Sequence, residues 1–390
     1  MFTKLPKMII GIDGNEANEK NRVGIGQFAF NVLSGLEKID SKNNYFIYLK
    51  EPPLKDLPKE RAGWQYKVVG PKKFWTQLGL PLKLFSQKEK LDIFYSPSHY
   101  APRFSSMPTI ISIMDLWHHR HPEQFDKKDL YQLLNWEKYS VKNSSRIVTI
   151  SEFTKSEIVN FYNYPEERIT VAYPGYTKLK IENEKLKIEE IKRKFGIKGN
   201  YLLYLGTLQP KKNLVGLIEA FNLLVTSNQW PVISNQSQIT NRQSPIALVI
   251  AGKKGWLYEE IFRKVKELRL EERVIFTDFV ADEEKPYLLA GAKCFVLPSF
   301  YEGFGIPVLE AMSLGVPVAV SNTSSLPEVA GKAGFYFSPE KPEEIADCLL
   351  KVLKLSSSEL AAVSEEVKKQ AEKFSWEKCT RKVLETIESV

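Results

Sequence analysis

The sequence predicts an α/β protein made of two Rossmann-like domains, and three observations carry that prediction. The chain has 390 residues, and at roughly 100–200 residues per domain that is two or three domains. Its short β-branched runs are continuously apolar rather than alternating, which marks parallel strands covered on both faces. These runs alternate with longer segments of helical period, and the rhythm occurs twice.

The elements follow in order. MIIGID at 8–13 reads as a buried first strand. A polar stretch at 15–23 leads into a Gly-Ile-Gly turn and a helix over 24–36. Further strands are expected at 93–95, 109–113, 146–150 and 170–172, with helical segments at 130–141 and 152–161. The second half places strands at 201–205, 247–251, 274–276, 294–297 and 317–319, with a helix at 214–224. The first domain is expected at 1–178 and the second at 196–374, joined through a highly charged helical stretch at 181–195. The amphipathic segment 375–390 is expected to pack back on the first domain. Residues 226–244, rich in Ser, Asn and Gln, read as a low-complexity surface insertion.

Composition narrows the function classes. Apolar residues make up 43% and charged residues 26%, as in an ordinary soluble enzyme. The longest apolar runs fall far short of the roughly 20 residues that span a bilayer. The first residues lack the apolar length of a signal peptide, so a cytoplasmic site of work is expected. Cys294, Cys348 and Cys379 are odd in number and far apart, which implies neither a disulfide framework nor a zinc ribbon. A net charge of +8 suits anionic partners, or simple solubility. The segment 71–90, PKKFWTQLGLPLKLFSQKEK, mixes aromatics, leucines and lysines. It reads either as a helix packed on the first domain or as a surface resting on a membrane, with Pro81 interrupting its helical pattern.

Four stretches carry chemistry. In PSFYEGFGIPVLEAMSLGVPVAV, 298–320, a strand ends, a glycine pair follows and a helix begins near Pro307. Gly303 and Gly305 permit close backbone approach. The helix start offers free N–H groups to an anion. Glu302 and Glu310 lie eight residues apart and can face one cleft at different depths, where carboxylates suit the hydroxyls of a sugar or ribose. In YLGTLQPKKNL, 204–214, Lys211 and Lys212 follow a strand, and Asn213 can cap the next helix. Two lysines at the carboxyl end of a strand suit a diphosphate. In VGIGQF, 23–28, Gly24 and Gly26 open a helix without the full dinucleotide fingerprint. All four histidines fall between His99 and His121. Their spacing and the lack of any HExxH or Asp-x-Asp motif argue against a metal site. Neither a P-loop nor a nucleophile elbow occurs.

Taken together, YLGTLQPKKNL, LVIAGKKGWLYEEI and the long run from VIFTDF to GFYFSP resemble the group 1 (family 4) retaining glycosyltransferases of the GT-B fold. Their Glu-x7-Glu hallmark is matched by Glu302 and Glu310. VGIGQFAFNVL and ISIMDLWHHRHPEQF resemble the first-domain signatures of a bacterial mannosyltransferase-like subset. The resemblance covers nearly the whole chain apart from 226–244.

The resemblance implies two Rossmann-like α/β/α domains facing across a cleft, an acceptor domain followed by a nucleotide-sugar domain. It implies a retaining, metal-independent hexosyltransferase with no cofactor. A nucleotide-sugar would be the donor and a glycan or lipid-linked molecule the acceptor, in cell-surface polysaccharide synthesis. Mannose is the first expectation for the sugar. Lys212, with Lys211 beside it, would neutralise the donor diphosphate. Glu302 would contact the transferred sugar and Glu310 the ribose. Backbone groups of Gly303, Phe304, Gly305 and Ile306 would meet sugar and phosphate oxygens. Gly252, Lys253 and the loop near Val280 would meet the base, and Gly24 and Gly26 the phosphates or the acceptor. Thr207 stands where many relatives have Arg, and Met114 precedes Asp115 where many have His. His118 and His119 are the nearby histidines. A sugar-nucleotide epimerase or a non-catalytic sugar-nucleotide-binding protein is the alternative on this fold. Nucleic acid is not expected as a partner, because the aromatics do not interleave with a long basic run.

Overall fold

The computed structural model describes residues 7–177, 183–227 and 246–390. The chain divides into two compact units, 1–175 with 374–390, and 176–373.

Unit 1 is built on a seven-stranded, wholly parallel sheet ordered β3-β2-β1-β4-β5-β6-β7. Its strands are β1 (Ile9–Asp13), β2 (Asn44–Leu49), β3 (Trp64–Val68), β4 (Ile93–Ser96), β5 (Thr109–Ile113), β6 (Arg146–Thr149) and β7 (Ile169–Val171). The helices are α1 (Ile25–Ile39), α2 (Leu80–Ser86), the single turn α3 (Trp117–Arg120), α4 (Lys127–Asn143) and α5 (Glu152–Tyr162). Helix α1 buries Phe28, Ala29, Val32, Leu33 and Leu36, the three- and four-residue spacing that turns one helical face to a sheet. Ser151 caps α5 by accepting from the Thr154 N–H at 3.0 Å, a bond that satisfies one orphan donor of the first turn.

The parallel strands β2 and β3 are absent from the sequence reading, because NYFIYL and WQYKV carry aromatics and polar residues instead of an unbroken β-branched run. Pro81, expected to interrupt a helix, sits in the first turn of α2, where its missing N–H costs nothing.

Unit 2 holds α6 (Glu184–Lys194), β8 (Asn200–Leu205), α7 (Leu214–Thr226), β9 (Ile246–Ala251), α8 (Glu259–Glu267), β10 (Val274–Asp278), α9 (Lys285–Ala290), β11 (Cys294–Leu297), α10 (Ile306–Ser313), β12 (Val318–Ser321), α11 (Leu326–Ala330), β13 (Phe335–Phe337), α12 (Pro342–Leu353) and α13 (Ser357–Ala371). Its six strands are also all parallel, in the order β10-β9-β8-β11-β12-β13. Strands β9, β11 and β12 are buried along their whole length, which is why they stand out in the sequence as apolar runs. Of the expected insertion at 226–244, residues from 228 onward lie outside the described residues, as do 181 and 182 of the charged join.

The last helix, α14 (Trp376–Glu388), belongs to unit 1. It packs on α1, burying Cys379, Val383 and Ile387. The approach needs Gly35, whose added Cβ would lie 2.2 Å from the Thr380 hydroxyl. Among the described residues no helix is long and apolar enough to cross a membrane.

Candidate active site

The strand order of unit 2 reverses its direction of growth between β8 and β11. In open parallel sheets, ligands bind outside the carboxyl ends of the strands at such a switch point. Two loops leave the sheet there, 206–213 after β8 and 298–305 after β11.

These loops are tied together by charge and by backbone. Lys212 Nζ donates to Glu302 Oε1 at 2.5 Å, and Ser299 Oγ donates to the same oxygen at 2.7 Å. The Phe300 N–H donates to the Lys211 carbonyl at 2.9 Å. Both side chains of the ion pair are largely buried. A buried pair of this kind adds little net stability, since desolvation offsets attraction. What it does is fix the lysine head group in one place.

Two serines hold the second loop. The Glu302 N–H donates to Ser324 Oγ at 3.0 Å, while Ser325 Oγ lies 2.9 Å from the Glu302 carbonyl and 3.0 Å from that of Phe304. Gly305 then takes φ +108° and ends the loop as N-cap of α10, a left-handed conformation that favours glycine. Phe304 is buried, and Ile306 begins the helix.

Glu310 lies inside α10, buried, and accepts from Lys285 Nζ at 2.7 Å. Burial pushes its carboxyl above the ordinary carboxylate range, and Lys285 opposes the shift. Glu302 and Glu310 are therefore held by different lysines, one after β8 and one at the start of α9. Neither Lys285 nor the serine brace of Glu302 was found in the sequence. A lysine at no fixed spacing from its partner leaves no pattern, whereas Ser299, three residues before Glu302, was within reach of one.

The loop after β9 closes the same end of the sheet. Gly252 takes φ +146°, and a Cβ there would lie 1.9 Å from the Gly206 carbonyl oxygen. The two loops are stitched by Gly206 N–H to Ala251 O, Leu208 N–H to Lys253 O and Gly255 N–H to Leu208 O, each at 2.9 Å. Thr207 sits inside this stitch, its carbonyl accepting from Tyr204 Oη at 3.0 Å. Lys253 Nζ rests over the Phe279 ring at 4.7 Å, and Val280 is buried next to it in sequence. Asn213 does not cap α7 with its side chain. It stands in the left-handed region at φ +53° and donates instead to the Pro339 carbonyl at 2.6 Å.

Unit 1 has its own switch point, between β1 and β4. Gly24 takes φ +47° with open space around it, and Gly26 lies in the first turn of α1. Asp13, at the end of β1, accepts from Trp75 Nε1 at 3.1 Å and from the Asn15 N–H at 3.1 Å, and burial raises its carboxyl. Met114 follows β5, and its carbonyl accepts from Thr154 Oγ1 at 3.4 Å. Asp115 accepts from the Trp117 N–H at 3.2 Å.

His118 and His119 both turn to buried Glu137. Their Nε2 atoms lie 3.3 and 3.7 Å from Glu137 Oε1, and the His119 ring also meets Tyr162 Oη at 2.7 Å. Burial pushes the Glu137 carboxyl up, yet the two histidines outweigh it and hold it down at about 2. His121 pairs instead with Glu123 and stacks on Trp117. The ligand atoms of His118, His119 and Glu137 lie within 4.8 Å of one another, close enough for a metal ion to bridge.

A doubly wound parallel unit offers its switch point to a ligand, and here the buried Lys212–Glu302 pair stands there. Residues 187–373 match the family model described as glycosyl transferases group 1, and residues 46–177 match that of Glycosyltransferase Family 4. O-antigen chain mannosyltransferase B of Escherichia coli is 33% identical over 299 residues, 75% of this chain and 73% of that protein. The serotype-specific mannosyltransferase WbdA of Escherichia coli is 28% identical over 266 residues, 64% of this chain and 31% of that longer protein. The chain belongs to the group 1 glycosyltransferases. The solved structure of Anabaena HepE in complex with UDP and glucose shares its fold, GT-B, with a TM-score of 0.72 and 18% identity over 98% of this chain and 100% of that one.

Proposed function

We propose that this protein moves a hexose, mannose in the first instance, from a nucleotide-sugar to a glycan or lipid-linked acceptor. The work is cytoplasmic, belongs to cell-surface polysaccharide synthesis and proceeds with retention at the anomeric carbon. The observation that carries this reading is Lys212, fixed by Glu302 across the switch point of unit 2. The two mannosyltransferases of Escherichia coli support the choice of sugar, and the UDP complex of HepE supports a nucleotide-sugar donor.

The chemistry asks for stabilisation of a departing nucleoside diphosphate. The bond from C1 to the phosphate oxygen breaks, a bond from the acceptor oxygen to C1 forms on the same face, and the acceptor proton passes to the leaving phosphate. Negative charge grows on the phosphate as the first bond breaks. Lys212 and Lys211, with the N–H groups that begin α10, stabilise that charge by preorganised electrostatics, and no metal is required. Glu302 orients Lys212 and accepts from the sugar hydroxyls. Glu310 accepts from the ribose, and Gly252, Lys253 and the loop at Val280 border the base. Gly303 to Ile306 present backbone groups to sugar and phosphate, while Gly24 and Gly26 serve the acceptor side or the phosphates. Thr207 offers no cation, so the diphosphate depends on the two lysines.

The test is a donor screen in EDTA with GDP-mannose, UDP-glucose, UDP-galactose, UDP-N-acetylglucosamine and ADP-glucose, following binding and slow donor hydrolysis. One donor, selected without metal, is expected, and proton NMR of the product should show the anomeric configuration of the donor. Binding to none of the five contradicts the reading. Conversion of a donor with no acceptor and no release of nucleotide would make the protein an epimerase.

A further inference from the structure

One surface of unit 1 breaks the rule that a helix buries its apolar side and wets the other. A π-helical turn, Trp75–Gly79, runs directly into α2. The inward side is well packed: Trp75, Leu80 and Leu84 join Tyr48, Leu91 and Phe94 in one buried cluster. The outward side is apolar as well. Leu78, Leu82 and Phe85 stand 51%, 61% and 90% exposed, and their spacing of four and three residues puts them on one face. Phe74 leads into that face, half exposed.

A second loop extends the patch. The Arg103 N–H donates to the Thr76 carbonyl at 3.0 Å. This brings the next residue, Phe104, 85% exposed, beside the π-turn. Phe104 takes φ +55°, a conformation uncommon for a bulky residue.

The stretches of chain that bear the patch are basic and carry no acidic residue of their own. Between Glu60 and Glu89 the chain carries no acidic residue, while Lys67, Lys72, Lys73, Lys83 and Lys88 lie in that span. The loop that bears Phe104 is likewise free of acid from Ile93 to Met114 and contains Arg103. Lys72 pairs with Glu51. Lys67 lies on β3, 4.0 Å from Glu89, whereas Lys73 precedes Phe74, Lys83 sits on α2 and Lys88 follows that helix.

We propose that this face, Phe74, Leu78, Leu82, Phe85 and Phe104 with Lys73, Lys83 and Lys88 around them, docks unit 1 on an anionic lipid surface. A patch apolar at its centre and basic at its rim matches the boundary between acyl chains and acidic headgroups. Soluble monomers rarely display five large apolar side chains together. The basic rim repels an identical face, which selects lipid over a second copy of this chain. The inference deepens the proposed function by naming where a lipid-linked acceptor is met, and it rests on that reading only for the acceptor.

The experiment is vesicle flotation of the full chain, independent of sugar transfer. Vesicles of phosphatidylcholine alone are compared with vesicles containing about one third phosphatidylglycerol. The wild type is expected to float with the anionic vesicles, at least about tenfold more than with neutral ones, and to be released by salt. Leu82→Glu with Phe85→Glu is expected to abolish flotation while keeping the circular dichroism spectrum and donor binding, because both side chains already face solvent. Lys83→Gln with Lys88→Gln should weaken flotation several-fold and flatten its salt dependence. A wild type that ignores anionic vesicles, or a double-Glu variant that floats as well, overturns the proposal. So does a wild-type dimer, by light scattering, that the double-Glu variant makes monomeric. Donor binding by the wild type is scored separately, so failure here and failure of the proposed reaction give different results.

Discussion

The two units share a parallel sheet with the same arrangement around the first strand, β3-β2-β1-β4 in one and β10-β9-β8-β11 in the other. Their switch points nevertheless hold opposite chemistry. In unit 2 the loops after β8 and β11 bring a lysine onto a carboxylate and staple the pair with serines. In unit 1 the corresponding loops carry Asp13 and His99, with an open glycine turn at Gly24. Burial raises the Asp13 carboxyl and lowers the His99 imidazole, favouring the neutral form of each. Topology therefore sets where a ligand can sit, and the loops decide which ligand. A fixed cation suits a departing diphosphate.

The largest effect expected from breaking this contrast is on turnover. Lys212→Ala should cost about 3–4 kcal/mol of transition-state stabilisation, by analogy with the loss of an oxyanion donor. Steady-state rates at saturating donor check it. Unchanged turnover would remove Lys212 from the site.

The glycines sharpen the comparison through stability. Gly252→Ala places a Cβ 1.9 Å from a backbone oxygen and should cost about 2–4 kcal/mol in urea unfolding. Gly24→Ala meets nothing within 4 Å, so only its positive φ is strained and about 1–2 kcal/mol is expected. Equal losses would show that the crowded turn of unit 2 relaxes freely.

Glu310→Gln tests the second carboxylate. A ribose hydroxyl bonded to a charged acceptor is worth about 1.5–3 kcal/mol, so donor affinity by calorimetry should fall tenfold or more. The substitution also takes the carboxylate away from Lys285, so some fall in the donor-free melting temperature is expected beside the loss of affinity. A large fall in melting temperature with unchanged affinity would make Glu310 a structural residue.

A last effect is confined to acid and to unit 1. Glu137 is held down at about 2 against a usual value of 4.5. A depressed carboxyl contributes stability that is complete above the ordinary value and is lost as pH falls through the folded one. Melting temperatures of the wild type should therefore drop between about pH 4.5 and pH 2 more steeply than those of Glu137→Gln. Parallel curves would show that the histidines do not stabilise the carboxylate.

Much of the fold was legible because continuous apolar strands announce themselves. IALVIA and CFVL are buried at every position and read as such. Strands β2 and β3 were not, since their aromatics and lone polar residues fit no single period, and β13 is only three aromatic residues long. At the site, Lys212 and Glu302 were visible through strand-end position and glycine chemistry. Their pairing was not, because ninety residues separate them and only the sheet order brings them together. Lys285 was invisible for the same reason. Asn213 misled because an N-cap residue type is also suited to the left-handed region it occupies.

The most direct test of the central claim compares GDP with guanosine, titrated by calorimetry in EDTA into wild type and Lys212→Ala. In the proposed reaction Lys212 meets the diphosphate and not the base. The variant should thus lose at least about tenfold in affinity for GDP and bind guanosine as the wild type does. Equal affinity of both proteins for GDP, or a matching loss for guanosine, would contradict it.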